Sequence, residues 1–437
     1  MKTHVSILAG MMLCISSGAL AAANAQDAAV STDSPPVQVE VVATRTVQEL
    51  LEILRQGDAA TGFEEARSEL TELAESGDAV ASVALGDLYR SGVFGEPDPA
   101  SAKRFFEIGA KAGDGKALAR LGELYRADTP LLPDEAKSLS YYTQSGDAGW
   151  GPALMYLGDY YTKARDAEGA IAAYEKAIAI GEKAAYVPLG DIFRLNRIHA
   201  PDYERADELF QQAADLGAEK GLTRLAQLRL DGHVGRVSEG VALLEKGILE
   251  DVPGAAVALA DAYISGQGVK RSVQKGISIL DAGVAKEDAA SARRLIALYL
   301  DGAKPELQPN ARRANAVFEA SAGFLPDRAK TYEGAILQSA LAADRTAFQS
   351  AYSQFTLLDQ SQKASALPRI KRLNENSYVY LLQSALGERG VFQGTATGQL
   401  TGSTIRAVNA FCAENNLTVC VRGPLAGPVA DALGKVL

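Results

Sequence analysis

The sequence predicts an all-α fold: a right-handed α-solenoid of helix-turn-helix repeats followed by a small three-helix C-terminal domain. Three observations predict it. First, the phrase Ala84-Leu85-Gly86-Asp87-Leu88-Tyr89 returns along most of the chain. Second, its central position falls at 86, 122, 158, 190, 226, 260 and 296, in steps of 36, 36, 32, 36, 34 and 36 residues. A period in that range marks a stacked repeat architecture, in which each unit needs its neighbours to bury its apolar face. Third, the period stops at Asn374, and the remaining text reads as short helices separated by glycine turns.

Each unit reads as two helices. Ala81, Leu85, Leu88 and Tyr89 fall at helical spacing on one face of the first. Gly86 costs that helix about 1 kcal/mol relative to Ala, so a recurring small residue there implies close approach of a neighbour. The second helix is expected from Pro99 to about Ala112, with Ala102, Phe105, Phe106 and Ala110 as its apolar stripe. Gly113 ends it, and Gly77, Gly146, Gly181 and Gly217 are expected to do the same elsewhere, since glycine takes the left-handed cap conformation cheaply. The turn inside each unit carries Gly92, Gly232, Gly266 or Gly302.

In chain order, residues 1–25 read as a secretory signal peptide. Lys2 and His4 precede an apolar run that closes on Ala23-Asn24-Ala25, an Ala-x-Ala cleavage site. A membrane anchor is the alternative reading of a run close to the ~20 residues that span a bilayer. Residues 26–45, with Pro35-Pro36, read as an extended linker. The solenoid is expected over 46–373. It opens on a capping helical pair with Thr46 and Glu49 as a capping box. Seven further pairs follow, then a divergent pair from about Pro326 to Leu358 and a helix to Leu373. Beyond Gly217 the central glycine is lost, and the register of those units is open.

This pattern resembles the Sel-one-like repeat, a relative of the tetratricopeptide repeat: Ala, Leu-Gly-x-x-Tyr, a glycine turn, an Ala-rich second helix with aromatics, then Ala-x-x-Gly. The resemblance covers about residues 47–357. It implies a non-enzymatic scaffold for protein contacts. Similar repeat proteins in bacterial envelopes serve exopolysaccharide synthesis and export assemblies, alginate-like ones included, or restrain signalling receptors.

Residues 374–437 resemble a peptidoglycan-binding-like domain. Leu382-Gln383, Gly398-Gln399-Leu400, Thr404 and Ala407-Val408-Asn409-Ala410-Phe411 match its first half, and Gly423-Pro424-Leu425 its second. Cys412 stands where that family has Gln, and Pro428-Val429 replaces its Thr region. The resemblance implies either wall-glycan binding or a protein-contact module. Cys412 and Cys420, the two cysteines beyond the signal segment, are expected to bridge in an oxidising compartment. That loop contributes roughly 2.5 kcal/mol by chain-entropy reasoning. A redox switch is the alternative.

Composition narrows the chemistry. A net charge of −10 spread over the chain argues against a nucleic-acid partner. Three His and three Cys leave no metal set and no nucleophile–base pair, so no catalytic residue and no cofactor is expected. His199 and His233 read as turn residues, and Glu64-Glu65 as a solvated helix face. Asp87, Glu123, Asp159 and Asp191 recur in register, as an acidic ladder or as inter-repeat hydrogen-bonding groups. Tyr89, Tyr125, Tyr161, Tyr263 and Tyr299 also recur, as inter-repeat core or as contacts on the concave face, where a phenol offers area and a hydrogen bond together. The expectation is a periplasmic scaffold with envelope-protein partners, peptidoglycan or exopolysaccharide as further ligands, and no integral membrane segment after signal cleavage. Wall anchoring through residues 374–437 is the rival. If the register is right, Leu121→Ala lowers stability by about 2–5 kcal/mol through cavity formation, and thermal denaturation checks it.

Overall fold

The computed structural model describes residues 45–57, 61–126, 133–195, 200–218, 220–425 and 427–437. The expected signal segment, nearly all of the expected linker and His199 lie outside them. The described residues form 22 α-helices and two short 3-10 turns, with one isolated bridge between Ala303 and Leu307 and no strand. The chain is an all-α repeat solenoid.

The capping pair is α1 (Val47–Arg55) and α2 (Phe63–Glu75). Its capping box forms as expected. The Thr46 backbone N–H donates to Glu49 Oε2 at 2.7 Å, and the Thr46 hydroxyl accepts from the Glu49 N–H at 3.3 Å. Seven pairs follow: α3 (Ala79–Ser91) with α4 (Pro99–Lys111), α5 (Gly115–Leu124) with α6 (Glu135–Asp147), α7 (Gly151–Ala164) with α8 (Ala167–Ala179), and α9 (Tyr186–Arg194) with α10 (Tyr203–Asp215). Then come α11 (Gly221–Leu230) with α12 (Val237–Leu249), α13 (Ala255–Ser265) with α14 (Val273–Ala285), and α15 (Ala289–Asp301) with α16 (Ala311–Ser321). The divergent pair is α17 (Asp327–Leu341) and α18 (Arg345–Thr356), and α19 (Gln360–Leu373) leads out.

The central glycine has a physical cause. A Cβ at Gly86 would lie 2.4 Å from the Phe106 ring, one at Gly158 would lie 2.4 Å from Tyr174, and one at Gly190 2.5 Å from Phe210. Gly122 faces Tyr142 in the same way at 3.0 Å. Each first helix thus seats an aromatic ring of its own second helix. The later units keep the seat and exchange the sizes: Ala226 and Ala260 stand for the glycine, and Leu244 and Leu280 for the ring, all fully buried. One turn earlier on the second helix a small residue meets the first helix. At Ser138 its hydroxyl donates to the Gly122 carbonyl at 2.8 Å. In the later units Gly240 and Gly276 hold that place, and a Cβ there would lie 2.8 and 2.9 Å from the Ala226 and Ala260 carbonyls. The register past Gly217, open in the sequence, is settled by this complementarity.

One expected cap is corrected. Gly77, Gly113, Gly181 and Gly217 take positive φ after their helices, but Gly146 lies inside α6, and the capping glycine is Gly149 at φ 84°. The residue 36 after Gly113 is Gly149. Gly146 is small for another reason, since a Cβ there would lie 2.4 Å from Leu154. Trp150, with no side-chain cap, takes the place that Asp78 and Asp114 hold at the starts of α3 and α5.

The C-terminal helices are α20 (Glu375–Glu388), α21 (Gly402–Glu414) and α22 (Gly427–Leu433). Their core is continuous with the solenoid across residues 373 and 374. A single buried cluster takes in Ile296, Ile336, Phe355 and Ile370 together with Tyr378, Leu382, Val408, Phe411 and Leu433. Asn374 fastens the junction, donating from Nδ2 to the Ser339 and Ala342 carbonyls. Cys412 and Cys420 form the disulfide, with Cα atoms 6.2 Å apart, between α21 and the 3-10 turn Thr418–Arg422.

The ring seat predicts a non-additive pair. Gly86→Ala brings a Cβ into Phe106 and costs about 1–3 kcal/mol as overpacking, offset in part by better helix propensity. Combining it with Phe106→Leu recreates the Ala–Leu seat of the later units, so a thermal double-mutant cycle shows the pair losing less than the sum of its members.

Candidate interaction surface

Successive first helices pack on one another: α3 on α5, α9 on α11, α11 on α13, and α13 on α15. Beyond α2 and α4, successive second helices stand further apart. First helices form the closer row at most units, and in a curved stack the closer row is the inner one.

The residue after each central position falls on the seam between neighbouring first helices. Asp87, Asp191 and Asp261 there meet an arginine of the next unit that stands 33 residues on. Arg120 Nε lies 3.0 Å from Asp87, Arg224 Nε 3.2 Å from Asp191, and Arg294 Nη2 2.6 Å from Asp261. The first two units close a ring of four charges, in which Arg90 bridges Asp87 at 3.2 Å and Glu123 at 3.0 Å, and Arg120 bridges Glu123 at 2.7 Å. Of the recurring acids, Asp87, Glu123 and Asp191 form inter-repeat ion pairs, and Asp159 does not. The arginines were missed in the sequence, although their constant offset from the acids was there to find. Pairs this exposed contribute at most about 1 kcal/mol each. They fix the direction of side chains along the inner face more than they stabilise it.

The third unit breaks the ladder. Tyr156 takes the arginine's place and stacks on Tyr142, with ring centroids 3.9 Å apart. Burial and the nearby Glu123 carboxylate push the Tyr142 phenol up to about 12. Asp159 accepts a 2.6 Å hydrogen bond from the Tyr174 hydroxyl, and burial first, then Asp159, raises that phenol as well. Tyr160 donates to Glu135 at 2.9 Å. A cleft of about 380 Å³ opens beside them, lined by Arg126, Tyr156, Asp159 and Lys163.

The five candidate tyrosines are set at the elbow inside each unit. Their backbone carbonyls receive the N–H of the residue that caps the second helix: Asp98 to Tyr89 at 2.9 Å, Asp134 to Tyr125 at 2.8 Å, Asp166 to Tyr161 at 2.9 Å, Ser272 to Tyr263 at 2.8 Å and Asn310 to Tyr299 at 2.6 Å. Those caps carry their own side-chain bonds, and the Ser101 hydroxyl holds the Asp98 carboxyl below its ordinary value. The rings pack within the unit. Tyr89 stacks on Phe105 at 5.5 Å and Tyr125 on Tyr141 at 5.7 Å. The Tyr263 ring lies under Lys275 at 4.0 Å, and the Tyr299 ring under Arg313 at 5.9 Å. Tyr161 meets Tyr160 edge-on at 5.6 Å. Tyr125 is buried and the other four are half-buried.

Among the described residues no His, Cys, Asp and Glu group could hold a metal ion, and no helix is long and apolar enough to cross a membrane. His233 is exposed in its turn and stacks on Tyr203 at 4.0 Å. Glu64 and Glu65 are exposed. In the C-terminal helices, the Gln383 of the Leu-Gln motif is buried and fully engaged. Its amide donates to the Gln399 carbonyl and the Thr404 hydroxyl, and its oxygen accepts from the N–H groups of Thr397 and Gly398. Gln383 and Thr404 thus staple a loop to α20 and do not point outward.

No family model matches this chain, and no curated protein matches it. Solved structures similar to it include the following two. One is a protective antigen present in uropathogenic Escherichia coli strains, displaying an SLR fold; it is 17% identical over 90% of this chain and 88% of that one, with a TM-score of 0.44. The other is a Sel1 repeat protein from Oxalobacter formigenes, 16% identical over 63% of this chain and 96% of that one, with a TM-score of 0.40.

A double-mutant cycle on Asp87→Ala and Arg120→Ala tests the ladder. The expected coupling is below about 1 kcal/mol and shrinks as salt is added.

Proposed function

We propose that this chain is a non-enzymatic scaffold that binds protein partners along its inner row of first helices. One observation carries the reading: ion pairs that recur at three junctions between units give that row an ordered polar surface on either side of the third unit. A stack of repeats offers such an extended face naturally, and each unit adds contact area without needing chemistry of its own. The N-terminal Ala-x-Ala segment supports export, and the repeat pattern supports a place in the bacterial periplasm, with an exopolysaccharide synthesis or export assembly as the leading context. Under this reading the C-terminal helices close the solenoid, since they share its core.

Site-specific photo-crosslinking in a producing bacterium tests the proposal. A crosslinking residue at Tyr156 or Gln227, on the inner row, traps a defined periplasmic partner. The same residue at Glu175 or Glu245, exposed on second helices, does not. Equal trapping from both sets, or none, removes the inner-face reading. Sedimentation of the full chain with insoluble peptidoglycan, with no trapped protein, turns the assignment to wall anchoring. The full chain is the right reagent, because deleting 376–437 would open the shared core.

A further inference from the structure

The inner row ends differently from how it begins. Residues 290–373 hold twelve Lys and Arg against seven Asp and Glu, within a chain whose net charge is −10. Where α15, α17 and α19 meet, Glu333 is buried with 3% of its surface exposed, between Arg293 and Arg369 at 3.5 Å each. Burial pushes the Glu333 carboxyl up against the pull of both guanidiniums. One carboxylate, itself disfavoured as an anion, therefore answers two cations. Arg369 Nη2 is buried with no hydrogen-bond partner.

A pocket of about 500 Å³ opens beside this cluster. Arg293, Arg328, Tyr332, Ser361, Gln362 and Ser365 line it. Arg369 acts on Tyr332 in its wall, holding that phenol down against the rise that burial causes. Arg328 is set by Asp359 at 3.0 Å and the Ser361 hydroxyl at 2.8 Å, and the Gln362 amide is tied to the Arg328 carbonyl at 2.8 Å. These bonds order the rim while leaving Arg328 largely exposed, with 70% of its side chain accessible. Charge-assisted bonds from two guanidiniums suit a carboxylate.

We propose that this pocket binds a carboxylate on an acidic segment of a protein partner. It deepens the scaffold reading by naming the chemistry of one contact. A peptide fits better than a sugar chain here. The one aromatic ring in the pocket's wall, Tyr332, is half-buried, which limits the stacking face a sugar chain would use.

The test is fluorescence anisotropy with the full chain, using a labelled tetraglutamate peptide, its glutamine counterpart and an unlabelled oligogalacturonate as competitor. The tetraglutamate peptide binds and the glutamine peptide does not. Arg293→Gln and Arg328→Gln each weaken binding by about tenfold or more, added salt weakens it, and Arg205→Gln leaves it unchanged. Thermal melts of the variants verify folding, which both exposed arginines tolerate. Binding that ignores Arg293→Gln and Arg328→Gln, or no preference for glutamate over glutamine, overturns the site. Oligogalacturonate that displaces the peptide at lower concentration, through the same arginines, overturns the peptide assignment in favour of a uronate chain. If this site fails while inner-row crosslinking succeeds, the scaffold stands without it; if both fail, the scaffold reading goes too.

Discussion

An aromatic ring lying on a glycine holds this molecule together. The ring of Phe106, Tyr142, Tyr174 or Phe210 fills the notch left by Gly86, Gly122, Gly158 or Gly190. The two helices of a unit approach until nothing else fits. Burying such a ring is worth about 1.5–3 kcal/mol, more than glycine's cost to the helix. Where the notch is narrowed to alanine, at 226 and 260, the knob shrinks to leucine, at 244 and 280. Sum of volumes, more than residue identity, is what the seat requires.

Once each unit is fixed internally, the units stack through their remaining apolar faces, and the polar seams follow. Buried clusters cross unit boundaries. One joins Tyr142 to Leu154 and Leu189, and another joins Val187 to Phe210 and Leu225. The inner seam carries the Asp–Arg pairs, whose energy is small beside that of the core. Those pairs set what the concave face shows to a partner: interlocked charges over most units, tyrosines in the third, and an arginine-rich pocket at the far end. The last helices do not stand apart. Tyr378 donates from its buried hydroxyl to the Pro424 carbonyl, and Leu433 and Leu437 join the cluster that begins at Ile296.

Much of this was legible beforehand. The Leu-Gly-x-x-Tyr phrase located the first helices, Thr46 and Glu49 marked the opening cap, and the turn glycines at 92, 232, 266 and 302 take positive φ as their positions imply. Gly146 misled, because a glycine can serve a turn or a close approach, and sequence alone does not say which. The surface was harder to read. The register of Asp87 and its companions was visible, but their arginine partners lie one unit away, and pairing at that distance depends on how units stack.

The sequence by itself determined the period, the helical character and the number of paired units, because these follow from local propensity and from apolar spacing within about 36 residues. Only the tertiary structure decided three things. It set the recurring tyrosines in the elbows, it turned most of the recurring acids into seams between units, and it merged the core of residues 374–437 with that of the last repeats. Each depends on contacts between helices distant in the chain, where packing volume and burial act and local periodicity carries no information.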